Sequence, residues 1–235
     1  MLYRLLALKF VTQMLVSHTK KFIFMKTSKT AGTSVEVYFE PFCLPEGEWK
    51  FSHYRDETIT DYGIIGYRGM NASEVSPKFF NHISAGKLRD YVGVELWQEY
   101  FKFTVIRNPF DRLVSAFFHF HKHRNAAQYN AATGSDPEIF RSWIDARMFG
   151  RDHGAYLIDG KVAVDYFIRY ENLNDGLQFV CDKIGAPFNI ARLPRLKSEY
   201  RDRTLKTKDF YDKTSEALVR EAFKFEFDYF NYEMP

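Results

Sequence analysis

Short apolar runs separated by helix-like segments dominate the hydrophobic pattern of this chain. Runs of about four to eight apolar residues are typical of strands buried in a parallel sheet, and three stand out, at residues 22–25, 103–106 and 162–168. Each is followed by a polar turn and then by a segment with helical periodicity, at 33–39, 110–123 and 172–184. Strands that alternate with helices predict an α/β fold, in which a parallel β-sheet is flanked by helices.

The rest of the chain adds shorter elements to this alternation. Further helices are predicted at 84–91, 95–100, 139–149 and 214–227. Loops with short elements are expected at 41–78, and loops at 125–137 and 191–208, where periodicity is weak or charge is dense. The chain has 235 residues, of which 46% are hydrophobic, and this suits a single domain over residues 1–235.

The N-terminal segment carries no clear targeting signal. Residues 1–16 are apolar but contain Arg4 and Lys9, and the longest uncharged run, 10–17, is too short to cross a bilayer. No small-residue cleavage site follows it. We therefore expect no integral membrane span, and we interpret residues 1–20 as an N-terminal extension or helix.

Charge and cysteine content narrow the function classes only slightly. The chain has 33 basic and 30 acidic residues, a formal net charge of +3, which is too small an excess to indicate a nucleic-acid partner. It is compatible with a local anion site. The two cysteines, Cys43 and Cys181, lie far apart in sequence and do not form a disulfide framework, so a reducing cytosol is the default expectation.

A polar loop follows the first apolar run, and its sequence is Lys29-Thr30-Ala31-Gly32-Thr33-Ser34. Gly32 permits close backbone approach, and amides at the start of the following helix favour an anion. Thr33 and Ser34 add hydroxyl donors, and Lys29 adds a positive charge. The lysine precedes the glycine, so the loop is not a Walker A motif. An ordinary turn with a threonine cap is the simpler alternative.

A second polar segment follows the second apolar run, and it begins with Arg107. Ligands of open α/β sheets bind at such strand ends. Ser115 lies eight residues later, two turns into the predicted helix. An arginine and a hydroxyl facing one phosphate give charge-assisted hydrogen bonds. The alternative is an arginine that only ends a strand and a serine on a helix surface.

Together, the two motifs resemble those of PAPS-dependent sulfotransferases (PAPS is 3′-phosphoadenosine 5′-phosphosulfate). The likeness is greatest to the carbohydrate branch, which includes heparan sulfate 2-O- and chondroitin-type enzymes and their bacterial relatives. It covers residues 22–232 and implies the P-loop-like sulfotransferase fold. It also implies that Lys29 and its loop bind the 5′-phosphosulfate, that Lys29 assists the leaving oxygen, and that Arg107 and Ser115 bind the 3′-phosphate. Family members often have proline where this chain has Ser28.

The resemblance also places a general base between the two motifs. Histidine suits that role because its pKa lies near neutral pH. The segment around His82 resembles the family's base segment, so His82 is the expected base and His53 the alternative. A metal site at His119 and His123, which share a helix face, is not expected, because no carboxylate or cysteine cluster accompanies them.

A basic segment near the C-terminus resembles one that closes over the nucleotide in related enzymes. Lys197, Ser198 and Arg201 are therefore further candidates for donor contact, although a basic loop is more often simply solvated. The pattern 165–173 resembles the family's third strand and turn, for which a structural role is expected.

The resemblance implies sulfuryl transfer from PAPS to an acceptor hydroxyl, most plausibly on a carbohydrate. A small secondary metabolite is the alternative acceptor, and a non-catalytic PAP- or PAPS-binding module is the alternative of another class. A P-loop kinase would require a Walker A motif and a magnesium-binding acidic strand end, and the sequence has neither. We expect a bacterial-type cytoplasmic enzyme, or a Golgi lumen location if an anchor precedes these residues.

Overall fold

A computed structural model of the chain describes residues 14–69, 83–119, 133–194, 196 and 204–235. The described residues fall into two compact units. The first combines those up to Val105 with Asp152–Pro194, and the second combines Ile106–Arg151 with those from 196 onward. Within the described residues, no helix has the length and apolar character needed to cross a bilayer.

The described chain contains both strands and helices. The strands are β1 Met14–Ser17, β2 Phe22–Met25, β3 Thr58–Thr60, β4 Gly63–Ile65, β5 Phe101–Ile106, β6 Leu157–Ile158, β7 Lys161–Val162 and β8 Tyr166–Arg169. The α-helices are α1 Gly32–Phe39, α2 Ala85–Val92, α3 Val94–Glu99, α4 Pro109–Phe117, α5 Asp136–Asp145, α6 Leu173–Ile184, α7 Lys213–Ala222 and α8 Lys224–Phe230. The predicted α/β class is confirmed.

The first unit is built on a sheet with the strand order β3-β4-β1-β2-β5-β8. The pair β2 and β5 is parallel, as the strand–helix alternation predicts. The pairs β1/β2, β1/β4 and β3/β4 are antiparallel, so the sheet is mixed. Short turns explain the antiparallel part, since a parallel crossover needs a dozen or more residues and only residues 18–21 separate β1 from β2.

At residues 14–17, strand β1 corrects our interpretation of 1–20 as an extension or helix, and residues 1–13 lie outside the described residues. Met14–Ser17 pairs with both β2 and β4, and all four residues are buried. A strand that is buried on both faces shows no alternation of apolar and polar residues. The apolar run 10–17 therefore gave no periodic signal of a strand.

Two further boundaries differ from the sequence prediction. The run 162–168 is not one strand, because Lys161–Val162 pairs with Leu157–Ile158 in a separate hairpin and β8 begins only at Tyr166. Asp159 and Gly160 both have positive φ, as the hairpin turn requires. The predicted helix 214–227 is divided into α7 and α8 at Phe223, whose φ of −117° and ψ of 30° depart from helical values.

Aromatic side chains form the core of each unit. In the first unit, Phe39 of α1 packs on Phe22 of β2 and Phe103 of β5, with ring centroids 5.5 and 5.1 Å apart. In the second unit, Phe140 of α5 packs on Phe117 and Phe210 at 5.5 and 5.6 Å. Full burial of such a ring stabilises the folded state by about 1.5–3 kcal/mol. The contacts of Phe39 thereby fix α1 against the two parallel strands.

Candidate anion-binding site

The loop between β2 and α1 has an unusual backbone. Lys29 and Ala31 both have φ of 61°, and Ala31 has ψ of 16°, in the left-handed region. A residue with a Cβ atom is disfavoured there by roughly 1–2 kcal/mol. Strain of this kind concentrates at ligand sites, where the surrounding fold enforces it. Successive amides in such a loop can form a concave anion site.

Ala31 is also the N-cap of α1, and it is an unusual cap. Serine, threonine, aspartate or asparagine normally accepts a hydrogen bond from the first-turn amides through its side chain. Ala31 has no side-chain oxygen and makes no such bond. Its carbonyl accepts from Ser34 N at 2.9 Å and Val35 N at 3.1 Å, which starts the helix. The first turn of α1 therefore lacks a side-chain cap and presents its positive dipole end to a ligand.

Gly32 is required by the close approach of α1 to the end of β2. A Cβ atom at Gly32 would lie 2.5 Å from Cγ of Lys26 and 3.0 Å from the carbonyl oxygen of Thr27. The second neighbour is backbone and cannot move away easily. The glycine therefore lets the helix start lie directly against the strand end.

Two buried threonines hold the loop against the end of β5. Thr27 Oγ1 donates to the carbonyl oxygen of Val105 in β5, and it also lies 2.9 Å from Thr30 Oγ1. Both side chains are buried. The resemblance assigns Thr30 to the binding of PAPS, but its hydroxyl faces the protein interior. Any contact of Thr30 with a ligand would use its backbone.

A buried cluster of charged side chains forms around two glutamates at α1 and its C-terminal end. This cluster was not predicted from the sequence. Glu36 and Glu40 are 0% exposed and lie four residues apart. Lys26 Nζ lies 3.0 Å from Glu36 Oε2, and Arg68 contacts both carboxylates, at 2.9 Å from Glu36 Oε1. Arg55 lies 3.3 Å from Glu40. The sequence signal for this cluster was the presence of two glutamates in the otherwise apolar segment 35–40.

This cluster also shifts the pKa values of its neighbours. Burial by itself would lower the pKa of Arg68, but the two glutamates outweigh it and raise that pKa. Burial raises the pKa of the Cys43 thiol well above its usual range, and the negative charges of Glu40 and Glu36 add to the effect. Cys43 is therefore an unreactive thiol.

The loop of residues 28–34, which we call the anion loop, contacts an acidic residue from a distant part of the chain. The backbone N–H of Ser28 donates to Asp152 Oδ2 at 2.8 Å. Asp152 is buried and immediately precedes a short 3-10 helix, His153–Ala155. The separation of 124 residues left no local signal by which the sequence could reveal the contact.

In the second unit, Arg107 is held by Asp111. Its Nε and Nη2 donate to Asp111 Oδ2 at 2.8 and 2.6 Å, and Thr207 Oγ1 donates to Asp111 Oδ1 at 3.0 Å. A guanidinium that donates from two nitrogens to one carboxylate has a fixed plane. Asp111 therefore orients the guanidinium group of Arg107.

Helix α4 continues from this arginine. Asn108 caps it by accepting from Phe110 N at 3.0 Å, and Pro109 occupies its first position. Ser115 is half-buried in the second turn. Arg112 is buried and donates to the carbonyl oxygen of Gly150 at 2.8 Å.

Several predicted site residues lie outside the described residues, namely His82, Lys197, Ser198 and Arg201. The alternative base, His53, is described and exposed. Its ring packs edge-on against Phe51 at 5.0 Å, and its carbonyl oxygen accepts from Arg68 Nε at 3.3 Å.

One comparison with known proteins gives a match. The model of the sulfotransferase family matches residues 12–233, which include the anion loop, Arg107 and Ser115. No curated protein and no solved structure matches the chain significantly. The family match extends over nearly the whole chain, and on that ground the protein belongs to the sulfotransferase family.

Proposed function

We propose that this protein is a PAPS-dependent O-sulfotransferase that transfers a sulfuryl group to an acceptor hydroxyl and releases adenosine 3′,5′-bisphosphate (PAP). The observation that carries the proposal is the start of α1, where a left-handed Ala31 leaves the first turn without a side-chain cap. Such a helix start binds phosphate-like anions. Family membership supports sulfuryl transfer as the reaction.

The anion loop is the part of the chain that suits the 5′-phosphosulfate. Backbone amides from Thr30 to Thr33 and the hydroxyls of Thr33 and Ser34 are the proposed hydrogen-bond donors. Lys29 is half-buried at the turn, and its ammonium group stabilises negative charge that develops on the leaving oxygen. PAPS, when bound, supplies an activated sulfuryl group. The loop contributes orientation and charge stabilisation.

Arg107 and Ser115 are the proposed ligands of the 3′-phosphate. The bonds from Arg107 to Asp111 fix the guanidinium plane before any ligand binds, so little side-chain entropy remains to be lost on binding. Lys197, Ser198 and Arg201 are proposed as additional donor contacts from the basic segment. Holding the nucleotide at both ends limits the reacting group to one geometry.

His82 is the proposed general base, and His53 is the alternative. The base accepts the proton of the acceptor hydroxyl as the oxygen attacks sulfur. The reaction then resembles phosphoryl transfer, in which positioning and charge stabilisation supply most of the catalysis.

A carbohydrate is the proposed acceptor, with a small secondary metabolite as the alternative. The loops 46–78 and 125–137 are the proposed acceptor contacts. The first exposes Phe51 and Tyr54 by 45% and 63%. An aromatic ring has an apolar face, and tyrosine also has a polar hydroxyl. Such rings can pack against the apolar face of a sugar, and the tyrosine hydroxyl can bind a sugar hydroxyl. These two rings support the carbohydrate over a purely charged acceptor.

Binding of PAP tests the donor assignment. We expect calorimetric titration to give a micromolar Kd for the wild-type protein, and the Arg107→Ala variant to bind at least about tenfold more weakly, because it loses a charge-assisted contact. Arg141→Ala is the matched control, since among the described residues Arg141 forms a long ion pair, of 3.8 Å, to Asp212. A folded wild-type protein that does not bind PAP would refute the proposal.

Turnover with radiolabelled PAPS tests the base and separates an enzyme from a binding module. The His82→Ala variant should lose about 10²- to 10⁴-fold in kcat, the usual contribution of a general base, while its Kd for PAP changes by less than about twofold. The same measurements on His53→Ala decide between the two histidines. PAP binding without turnover on any glycan or small-molecule acceptor would favour the non-catalytic module.

A further inference from the structure

The anion loop contains a turn whose second residue is Ser28. Residues Ser28 and Lys29 form the turn, and Lys29 has a φ of 61°, as the third residue of a type II turn does. Proline is common at the second position because its ring fixes φ near −65°. Serine leaves φ unrestricted, so another interaction must hold this turn.

The hydrogen bond from Ser28 N to Asp152 Oδ2, at 2.8 Å, is such an interaction. Asp152 is only 8% exposed, and its carbonyl oxygen accepts from Ala155 N at 2.8 Å. The 3-10 helix that follows packs against the start of α2, where a Cβ atom at Gly154 would lie 3.5 Å from Cβ of Ser84. The acceptor is therefore held by packing within the same unit as the loop.

We propose that Asp152 is a positioning residue for the anion loop. Its carboxylate fixes the backbone of Ser28, and this in turn sets the left-handed turn that directs Lys29 and the start of α1 toward the ligand. A negative charge beside an anion site opposes binding of that anion. The proposed contribution of Asp152 is therefore to position the loop through its hydrogen bond to Ser28 N. An uncharged side chain of the same shape that accepts this bond should position the loop equally well.

The first test needs no ligand. Hydrogen exchange of the Ser28 amide, followed by NMR on the ¹⁵N-labelled full chain, reports whether the bond exists in solution. We expect exchange at least about tenfold faster in Asp152→Ala, because the amide loses its acceptor. Asp152→Asn should stay close to wild type. Asp182→Ala removes an exposed carboxylate of the same unit and serves as control. Unchanged exchange in Asp152→Ala would overturn the proposal.

The second test measures the consequence for the donor, and this part rests on the proposed function. The Kd for PAP should rise about tenfold in Asp152→Ala, while Asp152→Asn retains wild-type affinity or binds more tightly. In a Ser28→Pro background the change to alanine at 152 should alter Kd by less than about twofold, because proline has no N–H to lose. Equal losses in both backgrounds would overturn the proposal.

The two tests separate this inference from the proposed function. If wild-type protein does not bind PAP but the Ser28 amide depends on Asp152, the proposed function is wrong and the positioning role stands. If PAP binds wild type and Asp152→Ala equally well, the positioning role is wrong and the donor assignment stands.

Discussion

Ala31 holds a backbone conformation that its own side chain opposes. The cost of roughly 1–2 kcal/mol is imposed by its neighbours, since Gly32 lies against Lys26 and the carbonyl of Thr27. Removing the Cβ atom relieves this cost. Glycine also enlarges the conformational freedom of the unfolded chain, which offsets part of the gain.

We therefore predict that Ala31→Gly raises the free energy of unfolding by up to about 1 kcal/mol. Ala217→Gly is the matched control, because Ala217 is exposed within helix α7, where glycine costs about 0.5–1 kcal/mol relative to alanine. Urea denaturation of the two variants should thus give shifts of opposite sign. Equal destabilisation of both would show that residue 31 is not left-handed in solution.

Elements with strong local signals were predictable, and elements defined by distant partners were not. Strands β2 and β5 and helix α1 follow from apolar runs and polar turns, and Gly185 ends α6 in a left-handed conformation as expected. β1 gave no alternating signal because it is buried on both faces. The hairpin β6–β7 is local, and the Asp159-Gly160 dipeptide at its turn is a hairpin signal that our prediction of a single strand at 162–168 did not use.

The same distinction applies to the candidate site. Residues 29–34 could be identified from the sequence because one short segment contains the glycine, the hydroxyls and the lysine. Asp152 and Arg68 could not, because their partners lie 124 and 28 residues away and meet them only in the folded chain. Family resemblance could name a ligand-binding residue but not the residues that hold it in place.

The charge cluster behind α1 bears on the stability of the molecule as a whole. Glu36 and Glu40 are fully buried, and Arg68 contacts both. A buried pair can be close to neutral in net stability, since desolvation opposes the Coulombic gain. Removing one partner is different, because it leaves a buried charge without compensation.

We predict that Arg68→Met destabilises the protein by about 3–5 kcal/mol, the usual cost of breaking a buried ion pair. Lys224→Met is the control, because the pair of Lys224 with Asp228 is exposed and such helical pairs contribute only about 0.3–0.5 kcal/mol. Urea unfolding at neutral pH measures both variants. A loss in Arg68→Met no larger than in the control would mean that the two glutamates are compensated without Arg68, and the cluster would then not be what holds α1 in place.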